Sequence, residues 1–151
     1  MKHQELVQKR SIPVLEVTKE LRTFASELFA KMQLSQGIGL AAPQVGRYIC
    51  LIVFDCVNHT YNAMDSGYMF NPEIIEVSAD KDVSKEGCLS YPGEYCQVER
   101  NRTIKVKYID LANRETVRSY SGLAARIIQH EIDHLNGITM YDRELEHGSS
   151  T

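Results

Sequence analysis

The sequence predicts an α+β fold. Mainly antiparallel sheets surround a central C-terminal helix bearing a His-Glu-x-x-His motif, and a second helix stands near the N-terminus. Three observations predict it. An apolar stripe with helical period runs through Lys19 to Leu34. Short apolar or alternating runs, punctuated by turn residues, fill Tyr48 to Tyr120. A second helical stripe runs from Gly122 to about Asn136. The order helix, strands, helix favours α+β over a doubly wound parallel sheet.

Residues 1–17 are polar apart from a Val14-Leu15 patch beside Pro13, and read as an extended segment along the surface. Thr18 reads as the N-cap of the first helix. Its apolar residues Leu21, Phe24, Ala25, Leu28, Phe29 and Met32 recur at spacings of three and four, one buried face. Gly37 to Gly46, GIGLAAPQVG, is apolar yet too rich in glycine for a regular helix. Local composition favours a tight buried connector; the alternative is a place where another chain approaches the backbone closely. Gln44 is the odd residue there, since a buried amide needs a partner.

Tyr48 to Phe54 is apolar throughout and reads as a buried strand. Asp55 to Gly67 is a polar loop, and Tyr68 to Ser78 is a strand broken at Asn71-Pro72. Ala79 to Lys85 is polar and acidic. Glu86 to Gly93, EGCLSYPG, is a second unusual stretch. Within Cys96 to Asp110, Ile104, Val106 and Tyr108 alternate with Lys105 and Lys107, a half-buried strand. Asn113-Arg114 turns it into a partner at Glu115 to Tyr120. Ser121 caps the last helix, and Asn136-Gly137 ends it. Ile138 to Tyr141 reads as a short terminal strand and 142–151 as a short polar tail, frayed from Glu144 to Thr151.

With 151 residues, 43% hydrophobic and 25% charged, the chain is expected to form a single domain with a substantial core. A net charge of −3 and the absence of a Lys/Arg cluster argue against a nucleic-acid partner. The longest apolar run is strand-sized, far short of a membrane span, and the N-terminus has no signal-peptide pattern. A cytoplasmic monomer is the expectation. The four cysteines, Cys50, Cys56, Cys88 and Cys96, then read as reduced thiols or metal ligands rather than disulfides.

His130-Glu131-Ile132-Asp133-His134 carries the chemistry. Four residues turn a helix by about 400°, so the two imidazoles emerge about 40° apart and one turn above each other. That pair can chelate one metal ion, with Glu131 within reach of a water on it. A catalytic site needs a third protein ligand. Glu144 and Glu146 are candidates in the tail. Cys88 is a better one, as a thiolate flanked by Gly87, although a free cysteine is commonly a small buried hydrophobe. Spacing alone leaves the choice open. Leu123 and Ile127 share the stripe of the two histidines. Arg126, one turn before His130, reads as a solvated position, the alternative being contact with a carboxylate or with substrate backbone. Asp133 reads as a hydrogen bonder rather than a ligand, and His3, His59 and His147 as surface residues.

Three blocks, GIGLAAPQVG, EGCLS and QHEIDH, occur in the order and at about the separations of peptide deformylases, and the resemblance extends from about Val7 to Tyr141. It resembles a minimal form of that family, lacking the C-terminal helix of many bacterial members. The resemblance implies Cys88, His130 and His134 as metal ligands, Glu131 as the catalytic carboxylate, and Gln44 with the Leu89 N–H as oxyanion donors. It implies a substrate site at Ile38, Gly39, Gly87, Tyr91, Leu123 and Ile127, with Tyr91 at its rim. The implied cofactor is one divalent ion, Fe²⁺ in the cell, with Zn²⁺, Ni²⁺ or Co²⁺ taken up on purification. The implied reaction removes the formyl group from the N-terminal formylmethionine of nascent polypeptides at the ribosome and releases formate. A metal lowers the pKa of its water toward about 7, Glu131 moves the proton, and the two donors meet the oxyanion. A zinc endopeptidase built on the same helix, or a non-catalytic formyl-peptide binder, are the competing readings.

Overall fold

A computed structural model of the chain describes residues 9–145. Strand β2 (Leu51–Asp55) explains why its stretch of sequence has no polar face. Ile52 and Phe54 point to one side, into a core shared with the central helix; Leu51 and Val53 point to the other, against the N-terminal helix. A strand covered on both faces reads as a continuous apolar run rather than an alternation.

The N-terminal helix α1 (Lys19–Leu34) forms as its stripe predicts. Thr18 accepts the Leu21 N–H, and Ala25, Leu28 and Met32 are buried. Short strand β1 (Gly39–Ala41) follows and leads into a single 3-10 turn at Ala42–Val45. After β2 comes a four-residue helix α2 (Val57–Thr60) inside the expected loop. Then come β3 (Ser66–Val77), β4 (Lys81–Cys88), β5 (Tyr91–Asn101), β6 (Thr103–Ile109) and β7 (Glu115–Ser121). Five strands pair antiparallel in the order β1-β2-β3-β6-β7, while β4 and β5 form a separate hairpin. β6 alternates as predicted, with Ile104, Val106 and Tyr108 buried and Lys105 ion-paired to Glu76 on the outer face.

The central helix α3 (Gly122–Leu135) buries eleven of its 14 residues. A helix enclosed on all sides belongs in the middle of a fold, not at its surface. Ala124, Ala125, Ile128, Ile132 and Leu135 pack against β2, β3 and β6. Ser121 does occupy its N-cap position, but its hydroxyl pairs with Thr103 instead of capping.

Three stretches depart from expectation. Ala79 to Lys85, polar and acidic with no strand pattern in its sequence, is mostly strand β4. Met140–Arg143 is a short helix, α4, where a strand was expected, because Thr139 and Asp142 cap it reciprocally. The tail does not fray at its start: the Leu145 N–H donates to Gln97 O, and Glu144 bridges Val98. Residues 1–8 and 146–151, with His3, His147 and Glu146, lie outside the described residues. The start of the chain otherwise runs extended as predicted, Ile12 pairing in parallel with Ile49.

Candidate metal centre and active site

Each of the two β units presents one strand edge to the same cleft. Among the described residues, β1 pairs only with β2 and β4 only with β5. The free edges face a cleft of about 830 Å³ whose floor is α3. Eleven of the sequence-predicted site residues line it: Ile38, Gly39, Gln44, Gly87, Cys88, Leu89, Tyr91, Leu123, Ile127, His130 and Glu131. His134 lies behind, fully buried. Tyr91 is only 5% exposed, so it forms inner wall rather than rim; its ring meets Tyr141 edge-on.

One helical turn brings His130 and His134 together, with ring centroids 4.9 Å apart. Their Nε2 atoms are 3.2 Å apart, and Cys88 Sγ is 3.4 Å from His134 Nε2. Cys88 reaches them because β4 ends in a tight turn, Leu89-Ser90, and the ladder slips in register between Gly87 and Cys88. The three ligand atoms lie within 4.8 Å of one another. Two imidazole lone pairs and a thiol sulfur converging this closely repel unless a proton or a cation lies between them. A borderline-soft divalent ion suits such an N₂S set. The far nitrogen of His130, Nδ1, meets Glu86 Oε1 at 2.8 Å, which turns Nε2 toward the cluster.

Glu131 occupies the cleft wall with one carboxylate oxygen, Oε1, buried and unpartnered among the described residues. Burial pushes its pKa up to about 7, against the opposing pull of His130. Its Oε2 rests against Gly39, where a β-carbon would fall 2.7 Å from that oxygen and 2.6 Å from Ile127 Cγ2. Glycine at 39 is therefore a matter of space. Gln44 finds the partners its burial demands. Its Oε1 accepts the Ala41 N–H at 2.9 Å, which leaves Nε2 aimed at Ser90 Oγ (3.0 Å) and Cys88 Sγ (3.5 Å). An amide assigned by a backbone donor has only one orientation that works.

Behind the cluster lies a buried charge network that the sequence reading missed. Glu86 accepts Arg100 Nε (2.9 Å) and Nη2 (3.0 Å), and Arg126 Nη1 (2.6 Å). Burial would raise the Glu86 pKa, but hydrogen bonds from His130 and Arg100 hold it well below the usual carboxylate range. Arg126 is 7% exposed and not solvated as expected; it also donates to Val98 O and Asp82 O. Its alternative reading, contact with a carboxylate, is the one observed. Asp133 is a hydrogen bonder as expected, accepting Arg100 at 2.6 Å and Arg143 at 2.9 Å. The available signal was periodic: Arg126, His130 and Asp133 stand at i, i+4 and i+7, a polar stripe down one side of the helix. His59 is exposed as predicted, at the cleft mouth.

A profile of the Polypeptide deformylase family matches residues 1–148. The chain belongs to the polypeptide deformylase family. A peptide deformylase of Rhodopseudomonas palustris is 43% identical over 133 residues, 87% of this chain and 76% of that one. The crystal structure of the Thermotoga maritima peptide deformylase superposes with a TM-score of 0.86 at 36% identity, covering 93% of this chain and 92% of the other. That of Acinetobacter baumannii, solved with Met-Ala-Ser bound, gives 0.84 at 36% identity and covers 92% of each chain. Deformylases of this family are metal-dependent hydrolases that remove the N-formyl group from the methionine of nascent peptides. No helix among the described residues is long and apolar enough to cross a membrane.

Proposed function

We propose that this chain hydrolyses the formyl group of formylmethionyl peptides with Cys88, His130 and His134 holding one divalent ion, Fe²⁺ in the cell. The observation that carries the reading is the meeting of that N₂S cluster with an unpartnered buried carboxylate in one cleft. A divalent ion held there supplies Lewis acidity, acidifying a water and polarising a carbonyl. Glu131, with a pKa near neutrality, takes up a proton at its free oxygen and delivers it to the leaving nitrogen. The Gln44 Nε2 and the Leu89 N–H donate to the oxygen on which charge develops. Gln44 can turn from Ser90 to that oxygen without losing its anchor at Ala41.

Ile38, Leu123 and Ile127 give an apolar slot for the methionine side chain. The free edges of β1 and β4, at Gly39 and Gly87, can pair with an extended peptide as an added strand, a mode that reads main chain and tolerates varied sequence. The relative with Met-Ala-Ser bound supports a product of that shape. The substrate is nascent polypeptide, which sets the work where translation runs.

The deciding assay incubates protein purified without oxygen with formyl-Met-Ala-Ser and measures formate. Formate above the level of a Glu131→Ala control is expected. None above that level overturns the reading, and cleavage of internal peptide bonds would favour an endopeptidase.

A further inference from the structure

Gly37 has no part in the chemistry above, yet a β-carbon there would collide with the Leu89 side chain. Its backbone does not call for glycine: unlike Gly46, Gly93, Gly122 and Gly137, it does not have a positive φ. Space does. A β-carbon at Gly37 would fall 2.6 Å from Leu89 Cδ1, 3.1 Å from Cγ and 3.3 Å from Cδ2. Carbon atoms in favourable contact stand about 3.5–4.0 Å apart. The isobutyl head of Leu89 is therefore lodged against the Gly37 Cα. Rotation about χ2 could swing a methyl aside but leaves Cγ where χ1 and the Leu89 backbone put it. Gly37 is itself fixed, its N–H donating to Met32 O at 2.9 Å at the end of α1. The Leu89 side chain also packs into the cluster formed by α1, β1 and β2.

We infer that Gly37 is a positioning residue, the seat on which the Leu89 side chain locks the Cys88-Leu89-Ser90 turn against the opposite wall of the cleft. The inference rests on the functional reading above for what the turn carries. Three groups of that reading hang from it: the Cys88 thiol, the Leu89 N–H, and Ser90 Oγ, which receives the Gln44 amide. Arg126 ties the base of the β4–β5 hairpin to α3 through Asp82 O and Val98 O. The seat ties its tip to α1.

The test pairs a clash with its relief. Gly37→Ala is expected to lower kcat on formyl-Met-Ala-Ser by roughly ten- to a hundredfold, with KM changed less than about threefold. Leu89→Ala keeps the N–H and removes the isobutyl group. Adding Gly37→Ala to it should then cost less than about twofold more, because nothing remains to collide with. A double variant whose loss is the product of the two single losses overturns the seat. A second readout needs no turnover: in cobalt(II)-loaded protein, the thiolate-to-metal absorption band reports on Cys88. Gly37→Ala should shift or weaken that band, and the double variant should return it to the Leu89→Ala position. An unmoved band in Gly37→Ala overturns the proposal. Should the unsubstituted protein release no formate, the functional reading fails while the cobalt series still decides the seat. Should Gly37→Ala not fold, recovery of folding by Leu89→Ala supports the seat, and failure to recover overturns it.

Discussion

Two polar regions meet at His130, and they are built on opposite principles. Behind the imidazole, every charge is matched: Glu86 is held by Arg100, Arg126 and His130, and Asp133 by Arg100 and Arg143. In front of it, Glu131 Oε1 is buried with no partner among the described residues. Buried ions survive only when paired and hydrogen-bonded, so the network behind is arranged to hold its place. An unpaired carboxylate costs stability and keeps its capacity to exchange a proton. The contrast separates residues that fix geometry from residues we assign to chemistry, on one helix and around one ring.

The sharpest way to break this contrast is Glu131→Gln. It is nearly isosteric and should cut kcat for formate release by roughly 10²–10⁴. Thermal unfolding should show no loss of stability, since a neutral amide replaces a buried carboxylate that lacks a partner. A marked fall in Tm would place Glu131 among the holding residues and erase the distinction.

Arg126→Met tests the other side. It leaves Glu86 one donor short and removes the guanidinium donor from Val98 O and Asp82 O. A cost of about 3–5 kcal/mol in urea unfolding is expected for breaking a buried pair. Because Glu86 orients His130, the variant should also lose bound metal faster to a chelator. A loss below about 1 kcal/mol, the worth of an exposed pair, would return Arg126 to the solvated role its charge suggests.

What the sequence disclosed divides along the same line. Helix α1 and strand β6 were legible because burial wrote a period into them. The His130–His134 pair was legible because one helical turn is a local fact. Strand β4 was not, since its only fully buried residue is Glu86 and the rest of Lys81–Cys88 presents no apolar face to read. Cys88 joined the histidines only through resemblance, because the turn that delivers it lies more than forty residues upstream. The network was the least legible part. A charged side chain reads as solvated unless its partner is known, and the partner of Arg126 lies 40 residues away. α4 was missed because its signal is a reciprocal cap, Thr139 with Asp142, spread over only four residues.

The mildest prediction lies at the edge of the network, where pairing alone ceases to imply holding. Asp133 is shared by two arginines: the Arg100 side chain is 4% exposed, and that of Arg143 is 47% exposed. Water competes for the Arg143 guanidinium and screens its attraction, so Arg143→Ala should cost about 0.5–1 kcal/mol. Asp133 would still keep its Arg100 bond, and kcat should change by less than about twofold. If Arg143→Ala instead cost as much as Arg126→Met, measured by the same urea titration, the whole of α4 would belong to the scaffold behind His130. Burial, rather than the presence of a salt bridge, is what the pair of experiments isolates.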